Sequence, residues 1–147
     1  MKTHSPFLTV DSNVVIAALR MLEPRSKKCD EILALASDQL ILAEPSIIYQ
    51  EVCGTIARKA SLETADNARE QLDRFINPRR LVSCDKKTCI SAFTLCAEHK
   101  IYAIDALYLH VALTYEAVLV SLDKEFIDGL DRKKLPIEAY TVETFPY

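Results

Sequence analysis

The feature that most constrains the fold is a regular alternation along the chain between short apolar segments and longer segments with helical periodicity. The segments that we predict to be strands are residues 7–10, 40–43, 81–84, 118–122 and 137–142. The segments that we predict to be helices are residues 14–20, 25–37, about 44–59, 62–77, 86–99 and 104–115. Strands that alternate with helices are joined by crossover connections and run parallel. We therefore expect an α/β fold, a three-layer α/β/α sandwich with a mainly parallel central sheet.

The composition predicts a single globular domain. Of the 147 residues, 50% are hydrophobic and 27% are charged, so residues 1–147 can build one substantial core. The N-terminal apolar run is too short for a signal peptide, and no stretch approaches the roughly 20 apolar residues of a membrane span. Five cysteines without a CxxC pair fit a reducing compartment. We expect a cytoplasmic protein with no membrane association.

The charge distribution leaves room for a polyanionic partner. The net charge of −3 argues against a general nucleic-acid coat, because affinity for a phosphate backbone comes from clustered lysine and arginine. Local basic clusters nevertheless recur, and some of them could line a groove for a polyanion. These clusters are residues 25–28, 58–59, 79–80, 86–87 and 132–134. For most of them, a solvated helix face or loop is the better explanation.

Acidic residues follow two of the predicted strands. Asp11 comes directly after residues 7–10, and Asp123 comes directly after residues 118–122. In open parallel sheets, ligands bind beyond the carboxyl ends of the strands where the strand order reverses, so both side chains would project into that crevice. Taken singly, each of these aspartates is equally well explained as a helix cap or a turn residue.

Two further acids lie on predicted helices. Glu51 has mostly small or apolar neighbours three and four residues away, including Ile47 and Ile48. An ionised carboxylate is costly in such surroundings unless it is paired or binds a metal. Asp105 is the only acid near the start of an almost wholly apolar helix. Taken alone, Asp105 is explained by its favourable interaction with the helix dipole.

The four acids together favour a metal site. Carboxylates crowded at one edge of a sheet repel one another unless a cation neutralises them or some of them are protonated. Ligand sets made only of oxygen favour Mg²⁺ or Mn²⁺ over zinc or copper, and Mg²⁺ usually keeps several bound waters. This combination suits metal-assisted hydrolysis of a phosphodiester, in which a water molecule attacks phosphorus.

Four segments resemble the PIN domain (PilT N-terminus) family, and most of all its toxin ribonucleases of VapC type. They are VDSNVVIAAL at 10–19, EPSIIYQEV at 44–52, IDALYLHVAL at 104–113 and LVSLDKEF at 119–126. The resemblance implies that the metal-binding and catalytic acids are Asp11, Glu51, Asp105 and Asp123. It also implies that Asn13 and Ser121 are polar residues that support those ligands.

By resemblance, the chain would be a Mg²⁺- or Mn²⁺-dependent endoribonuclease that hydrolyses single-stranded RNA. It would be the toxin of a type II toxin–antitoxin pair, inhibited by a small protein antitoxin, and would form a homodimer. Two positions depart from the family pattern. Glu116 stands where a glycine often ends the helix, so it must adopt a left-handed conformation or end the helix differently. His110 stands where a small residue is commoner, and we expect it to be packed or partly exposed.

Two other functions stay open at this point. A non-catalytic PIN-like module could bind RNA or a protein partner, although such a module has no need of clustered carboxylates. A phosphoryl-transfer domain could use Asp11 as its nucleophile, but phosphatases of the haloacid-dehalogenase type would need a second Asp at position 13, where this chain has Asn13. With only two glycines, the chain has no glycine-rich phosphate loop.

Overall fold

The computed structural model describes residues 5–20 and 23–147. Residues 1–4, part of the segment considered above for a signal peptide, lie outside the described residues. The strands are β1 (Phe7–Val10), β2 (Ile41–Pro45), β3 (Ile76–Val82), β4 (Val118–Ser121) and β5 (Ala139–Thr141). The helices are α1 (Ser12–Leu19), α2 (Ser26–Asp38), α3 (Ile47–Lys59), α4 (Leu62–Phe75), α5 (Lys86–His99), α6 (Ala103–Tyr115) and α7 (Lys124–Arg132). Within the described residues, no helix has the length and apolar character needed to cross a membrane.

The five strands form one parallel sheet in the order β3-β2-β1-β4-β5. The chain proceeds from β1 through β2 to the edge strand β3, and then returns to place β4 and β5 on the other side of β1. The point where the strand order reverses therefore lies between β1 and β4. With helices flanking this sheet, the predicted α/β sandwich is confirmed.

The central strands are buried on both faces because helices cover the sheet. In β1 and β4, the side chains of Leu8, Val10, Leu119 and Val120 are all 0% exposed. Helix α6 packs against β1, β2 and β4, and α5 packs on α6. Continuous apolar strands of this kind are expected in a parallel sheet, where neither face meets water.

The boundary between α4 and β3 differs from the prediction. We expected a helix over residues 62–77 that ended at Pro78, but α4 ends at Phe75, and Asn77 and Pro78 belong to β3. Only residues 81–82 of the strand predicted at 81–84 belong to β3, which begins earlier, at Ile76, and ends at Val82. Proline is tolerated here because β3 is an edge strand, where a missing N–H need not break a ladder on both sides.

Several other element boundaries also depart from the prediction. Pro45 is the last residue of β2 and not part of the first turn of a helix, and α3 begins at Ile47. Helix α7 was not predicted; its apolar residues Phe126, Ile127 and Leu130 are buried. Glu116 adopts a left-handed conformation with φ of 52°, which is one of the two alternatives that we expected for it.

Candidate active site

The site lies where β1 and β4 end side by side. The main-chain N–H of Asp11 donates to the carbonyl oxygen of Val120 at 2.9 Å, so the end of β1 is tied directly to the end of β4. Asp123 follows two residues after β4 ends at Ser121. Asp11 and Asp123 therefore both occupy the carboxyl edge of the sheet at the point where the strand order reverses.

The carboxylate of Asp11 is held by hydrogen bonds from side chains and does not cap a helix. Asp11 is 6% exposed and occupies the N-cap position of α1, yet it accepts no capping hydrogen bond there. Its Oδ2 accepts a hydrogen bond from the Ser121 hydroxyl at 2.9 Å and one from Asn13 Nδ2 at 3.4 Å. The interpretation of Asp11 as an ordinary helix cap therefore has no support.

Ser121 and Asn13 also contact each other and the loop that carries Asp123. Asn13 Nδ2 donates to Ser121 Oγ at 3.2 Å, and Asn13 Oδ1 accepts from the main-chain N–H of Leu122 at 3.2 Å. Ser121 Oγ accepts from the N–H of Asp123 at 3.0 Å. Both residues thus hold the carboxylate of Asp11 and also the backbone of the loop that carries Asp123.

Glu51 reaches the site from α3 and is held by a tyrosine of α6. The hydroxyl of Tyr108, which is 0% exposed, donates to Glu51 Oε1 at 2.6 Å. Burial is the main cause that raises the pKa of Tyr108, and the charges of Glu44, Glu51 and Asp11 add to it. Tyr108 therefore stays protonated and donates, and Glu51 is fixed at one oxygen.

Asp105 lies in the first turn of α6 and is half-buried. In the described part of the chain, its carboxylate accepts no hydrogen bond. Its pKa is raised to about 6, mainly by burial and in addition by the negative charges of Asp11, Asp123 and Glu51. The other three acids are thus close enough for each to affect Asp105.

The pKa of Asp11 is raised in the same way. Its pKa is raised to about 6: burial is the main cause, the hydrogen bond from Ser121 opposes the rise, and the charges of Glu51 and Asp123 contribute to it. The charges of three acids thus affect the pKa of Asp105, and the charges of two acids, Glu51 and Asp123, affect the pKa of Asp11. The four predicted residues are thus near enough for their charges to affect the pKa values of Asp11 and Asp105. Their catalytic and metal-binding roles stay predictions.

Asp123 is exposed and has a second task. Its Oδ1 accepts from the N–H of Phe126 at 3.1 Å, so it caps α7. The sequence left open that Asp11 and Asp123 are each simply helix caps. The structure shows a helix cap at Asp123 and none at Asp11. A capping carboxylate still has a second oxygen, so the cap does not prevent metal binding.

The carboxylate oxygens of the four acids suit a divalent cation, but the four side chains do not surround a single ion position. None of them forms an ion pair with a lysine, arginine or histidine among the described residues. Across residues 5–20 and 23–147, no three Asp, Glu, His or Cys side chains are spaced to hold one ion together. Oxygen ligands without a cationic partner fit a hydrated ion such as Mg²⁺, which needs only one or two carboxylates and completes its shell with water.

Sequence reasoning overlooked one acid, Glu44. It is 0% exposed in β2, and its Oε1 accepts a hydrogen bond from the N–H of Val10 at 2.6 Å. Its Oε2 has no partner in the described part of the structure. Burial raises the pKa of Glu44 well above its usual value, and the charge of Asp11 adds to the rise. A glutamate inside an otherwise apolar strand was the available signal, but we had placed Glu44 at the start of a helix.

The comparison with known families decides the membership of the chain. The model of the PIN domain family matches residues 8–129, which is most of the sequence. The chain belongs to the PIN domain family. A search of curated proteins finds no match at the sequence level.

Solved structures similar to this PIN domain include proteins of toxin–antitoxin systems. VapBC2 from Rickettsia felis, solved with a DNA fragment of its promoter, has a TM-score of 0.65 and 16% identity, over 92% of this chain and 98% of that chain. VapC20 from Mycobacterium tuberculosis, a toxin that cleaves the sarcin-ricin loop, has a TM-score of 0.67 and 14% identity, over 81% and 92% of the two chains. A toxin–antitoxin complex from Klebsiella pneumoniae has a TM-score of 0.65 and 18% identity, over 89% and 98%. At these identities the likeness shows the fold alone.

Proposed function

We propose that this PIN domain is a metal-dependent endoribonuclease of VapC type that hydrolyses single-stranded RNA. The observation that supports the proposal most directly is that the pKa values of Asp11 and Asp105 are both raised, mainly by burial and in addition by the charges of neighbouring acids. Uncompensated negative charge at one edge of a sheet is unfavourable unless a cation joins it. A cluster of carboxylates whose ionised form is disfavoured by burial and mutual repulsion, and is therefore stabilised by a bound cation, suits metal-assisted hydrolysis of phosphodiesters.

Asp11, Glu51, Asp105 and Asp123 would supply the carboxylates for Mg²⁺ or Mn²⁺, with one or two of them binding an ion directly and the others acting through its bound waters. A bound divalent ion supplies an activated water and neutralises charge on the phosphate and on the leaving oxygen. The protein's own contribution is orientation: Ser121 and Asn13 hold Asp11, and Tyr108 holds Glu51. No serine, cysteine or histidine is needed as a nucleophile, so no covalent enzyme intermediate is expected.

Cleavage of single-stranded RNA with and without Mg²⁺ or Mn²⁺ tests the proposal. We expect Asp11→Asn and Asp105→Asn to lower the rate by about 100-fold or more, since even residues outside the ligand set typically contribute 10- to 100-fold. Asp30→Asn is the matched control, because Asp30 is exposed on α2. Undiminished cleavage by both site variants would refute the assigned roles.

Calorimetric titration with Mn²⁺ separates the nuclease from a module that only binds. Saturable Mn²⁺ binding that is lost in Asp11→Asn, together with cleavage, supports the nuclease. RNA binding without Mn²⁺ binding and without cleavage would favour the non-catalytic module.

We further propose that residues 1–147 form one cytoplasmic PIN domain that acts as a toxin. The solved neighbours that are toxin–antitoxin complexes support a small protein antitoxin as its inhibitor, and VapC-type resemblance supports a homodimer. All five cysteines are free thiols, which suits a reducing compartment. Co-expression with the protein encoded by the neighbouring reading frame, followed by an RNA cleavage assay and a measurement of mass in solution, tests these assignments.

A further inference from the structure

A cavity of about 280 Å³ adjoins the candidate active site on the side of α6 and α7. Asp105 and Asp123, two of the four acids, line it. The cavity therefore opens directly from the carboxylates, and a chain molecule that reaches the acids from this side must cross it.

Three cations line the same cavity. Lys100 is the C-cap residue of α5, and Arg132 and Lys133 come from the end of α7. All three side chains are exposed, and none of them forms an ion pair within the part of the chain that the structure describes. Basic groups without an acidic partner are available to an anion.

Two backbone features present these cations to the cavity. Lys100 has a left-handed conformation with φ of 57°, so the chain turns sharply between α5 and α6. Gly129 lies in the cavity wall, and a Cβ at that position would lie 3.8 Å from Arg132 Nη2. This is an ordinary van der Waals distance, so the guanidinium of Arg132 lies beside this part of the cavity wall.

An aromatic ring completes the lining. Tyr102 is 83% exposed at the N-cap of α6, three residues before Asp105. A ring so exposed adds little to the core. A ligand in the cavity can instead contact the apolar face of the ring and a neighbouring cation. Exposed aromatic rings beside a basic groove are the usual elements of single-strand nucleic-acid sites, in which bases stack and phosphates meet cations.

We propose that this cavity binds the RNA nucleotides that flank the phosphodiester held at the carboxylates. Lys100, Arg132 and Lys133 contact backbone phosphates, and Tyr102 stacks on a base. The inference rests on the proposed nuclease function, which it extends by naming the side of the site that the RNA strand occupies.

The charge balance of the cavity explains why the cations are needed. Asp105, Asp123 and Glu125 also line it, and each of these carboxylates repels a phosphate. Lys100, Arg132 and Lys133 offset that repulsion. Without them, the acids would repel the substrate that they are proposed to help cleave.

Binding of a short fluorescent single-stranded RNA, measured by anisotropy over a series of salt concentrations, tests the charge contribution. Every variant is made on an Asp11→Asn background, so that the RNA is not cut. We expect R132A/K133A to weaken binding by about tenfold and to reduce the slope of log K against log salt by about 1.4, since each contact to a single-strand phosphate adds about 0.7.

The control K27A/K28A removes two exposed positive charges from the start of α2. That segment lies away from the carboxylates, because the Ser26 hydroxyl contacts the carbonyl oxygen of Ala18 near the far end of α1. We expect this control to leave both the affinity and the salt slope unchanged.

Tyr102 tests the stacking contribution separately. We expect Tyr102→Ala to weaken RNA binding by about tenfold with no change in salt slope, and Tyr102→Phe to restore the affinity, because a stacked base needs a ring and not a hydroxyl. Thermal unfolding of each variant verifies that these exposed substitutions leave the fold intact.

Equal affinity and equal salt slope in R132A/K133A and K27A/K28A would overturn the inference, whether or not the parent cleaves RNA. Selective weakening in R132A/K133A supports it. If the parent binds RNA through the cavity but never cleaves it, the proposed nuclease function fails and the cavity stands as a binding site.

Discussion

The main-chain N–H of Val10 donates to Glu44 Oε1 at 2.6 Å, so a side chain of β2 serves as the acceptor where β1 leads into Asp11. At the preceding residue, the Thr9 hydroxyl donates to the carbonyl oxygen of Ala43 at 2.7 Å. The ends of β1 and β2 are thus joined through side chains. The buried carboxyl of Glu44 supports the strand end from which the candidate site begins.

Replacement of Glu44 separates its hydrogen bond from its charge. We expect Glu44→Gln to be at least as stable as the parent at neutral pH, because the amide keeps an acceptor for Val10 and cannot ionise. We expect Glu44→Ala to lower the free energy of unfolding by about 1–3 kcal/mol, since the buried N–H of Val10 loses its acceptor. Urea unfolding measures both effects.

Glu31→Gln, at an exposed position of α2, is the control for loss of a carboxylate alone. If Glu44→Gln were as destabilised as Glu44→Ala, the hydrogen bond to Val10 would not be the reason for a glutamate at this position.

The stability of the metal-free protein is expected to fall as the pH rises from about 4 to about 6. The pKa values of Asp11 and Asp105 are raised from 3.8 to about 6 in the folded state, mainly by burial. Their favourable contribution is complete below the unfolded value of 3.8 and is lost as the pH passes the folded value, because the unfolded chain then releases protons that the folded chain retains. Thermal unfolding in EDTA over this range measures the decline.

The double variant D11N/D105N should show a shallower decline over the same pH range, and D30N should match the parent. A decline that is equally steep in D11N/D105N would mean that other groups are responsible.

Divalent metal should reverse this loss of stability at neutral pH. We expect saturating Mn²⁺ to raise the unfolding free energy by about 2.7 kcal/mol at a concentration 100 times its Kd, because the ion binds the folded chain and not the unfolded one. At a pH well below 6 the effect should shrink, since protonated carboxyls are poor ligands. Thermal unfolding with and without Mn²⁺ at the two pH values tests the effect, and an equal gain in D11N/D105N would contradict it.

Tyr108→Phe should lower RNA cleavage by about tenfold, because Glu51 loses the hydrogen bond that orients it. The chain offers a closely matched control: the Tyr49 hydroxyl donates to Asp73 Oδ1 at the same distance of 2.6 Å, on the exposed surface. Tyr49→Phe removes the same kind of bond and should leave cleavage unchanged. Comparable loss in both variants would show a general effect of lost hydrogen bonds and not a role for Tyr108 at the site.

Ser121→Ala should raise the pH at which the protein binds Mn²⁺. The Ser121 hydroxyl lowers the pKa of Asp11 against the effect of burial, so its removal raises that pKa above its present value of about 6. Calorimetric Mn²⁺ affinity measured as a function of pH should shift to higher pH in this variant and stay unchanged in the exposed control Ser83→Ala. An unchanged pH profile in Ser121→Ala would contradict the assigned role.

The sequence predicted the parallel α/β architecture because alternating strands and helices leave few other arrangements. It misplaced β3, because Pro78 indicates a helix end equally well whether a loop or an edge strand follows. Helix α7 was missed because it is short and strongly charged, and its stability depends on Phe126, Ile127 and Leu130 entering the core. Local sequence does not reveal such tertiary packing.

At the candidate site, the sequence predicts four acids, a prediction that stays to be tested, but it does not predict their environments. Asp123 caps α7, but Asp11 caps no helix. This difference depends on the direction of the Ser121 hydroxyl, and Ser121 belongs to β4 and not to β1, the strand that precedes Asp11. The burial of Glu44 likewise depends on how the ends of β1 and β2 meet.

At the unpaired acids of the carboxyl edge of the sheet, the stability of the fold and the proposed chemistry favour different side chains. Amide substitution of Asp11 or Asp105 relieves a buried charge, so it should make the fold more robust while it removes the proposed chemistry. Selection of this chain for thermal stability alone is therefore expected to replace these carboxylates first.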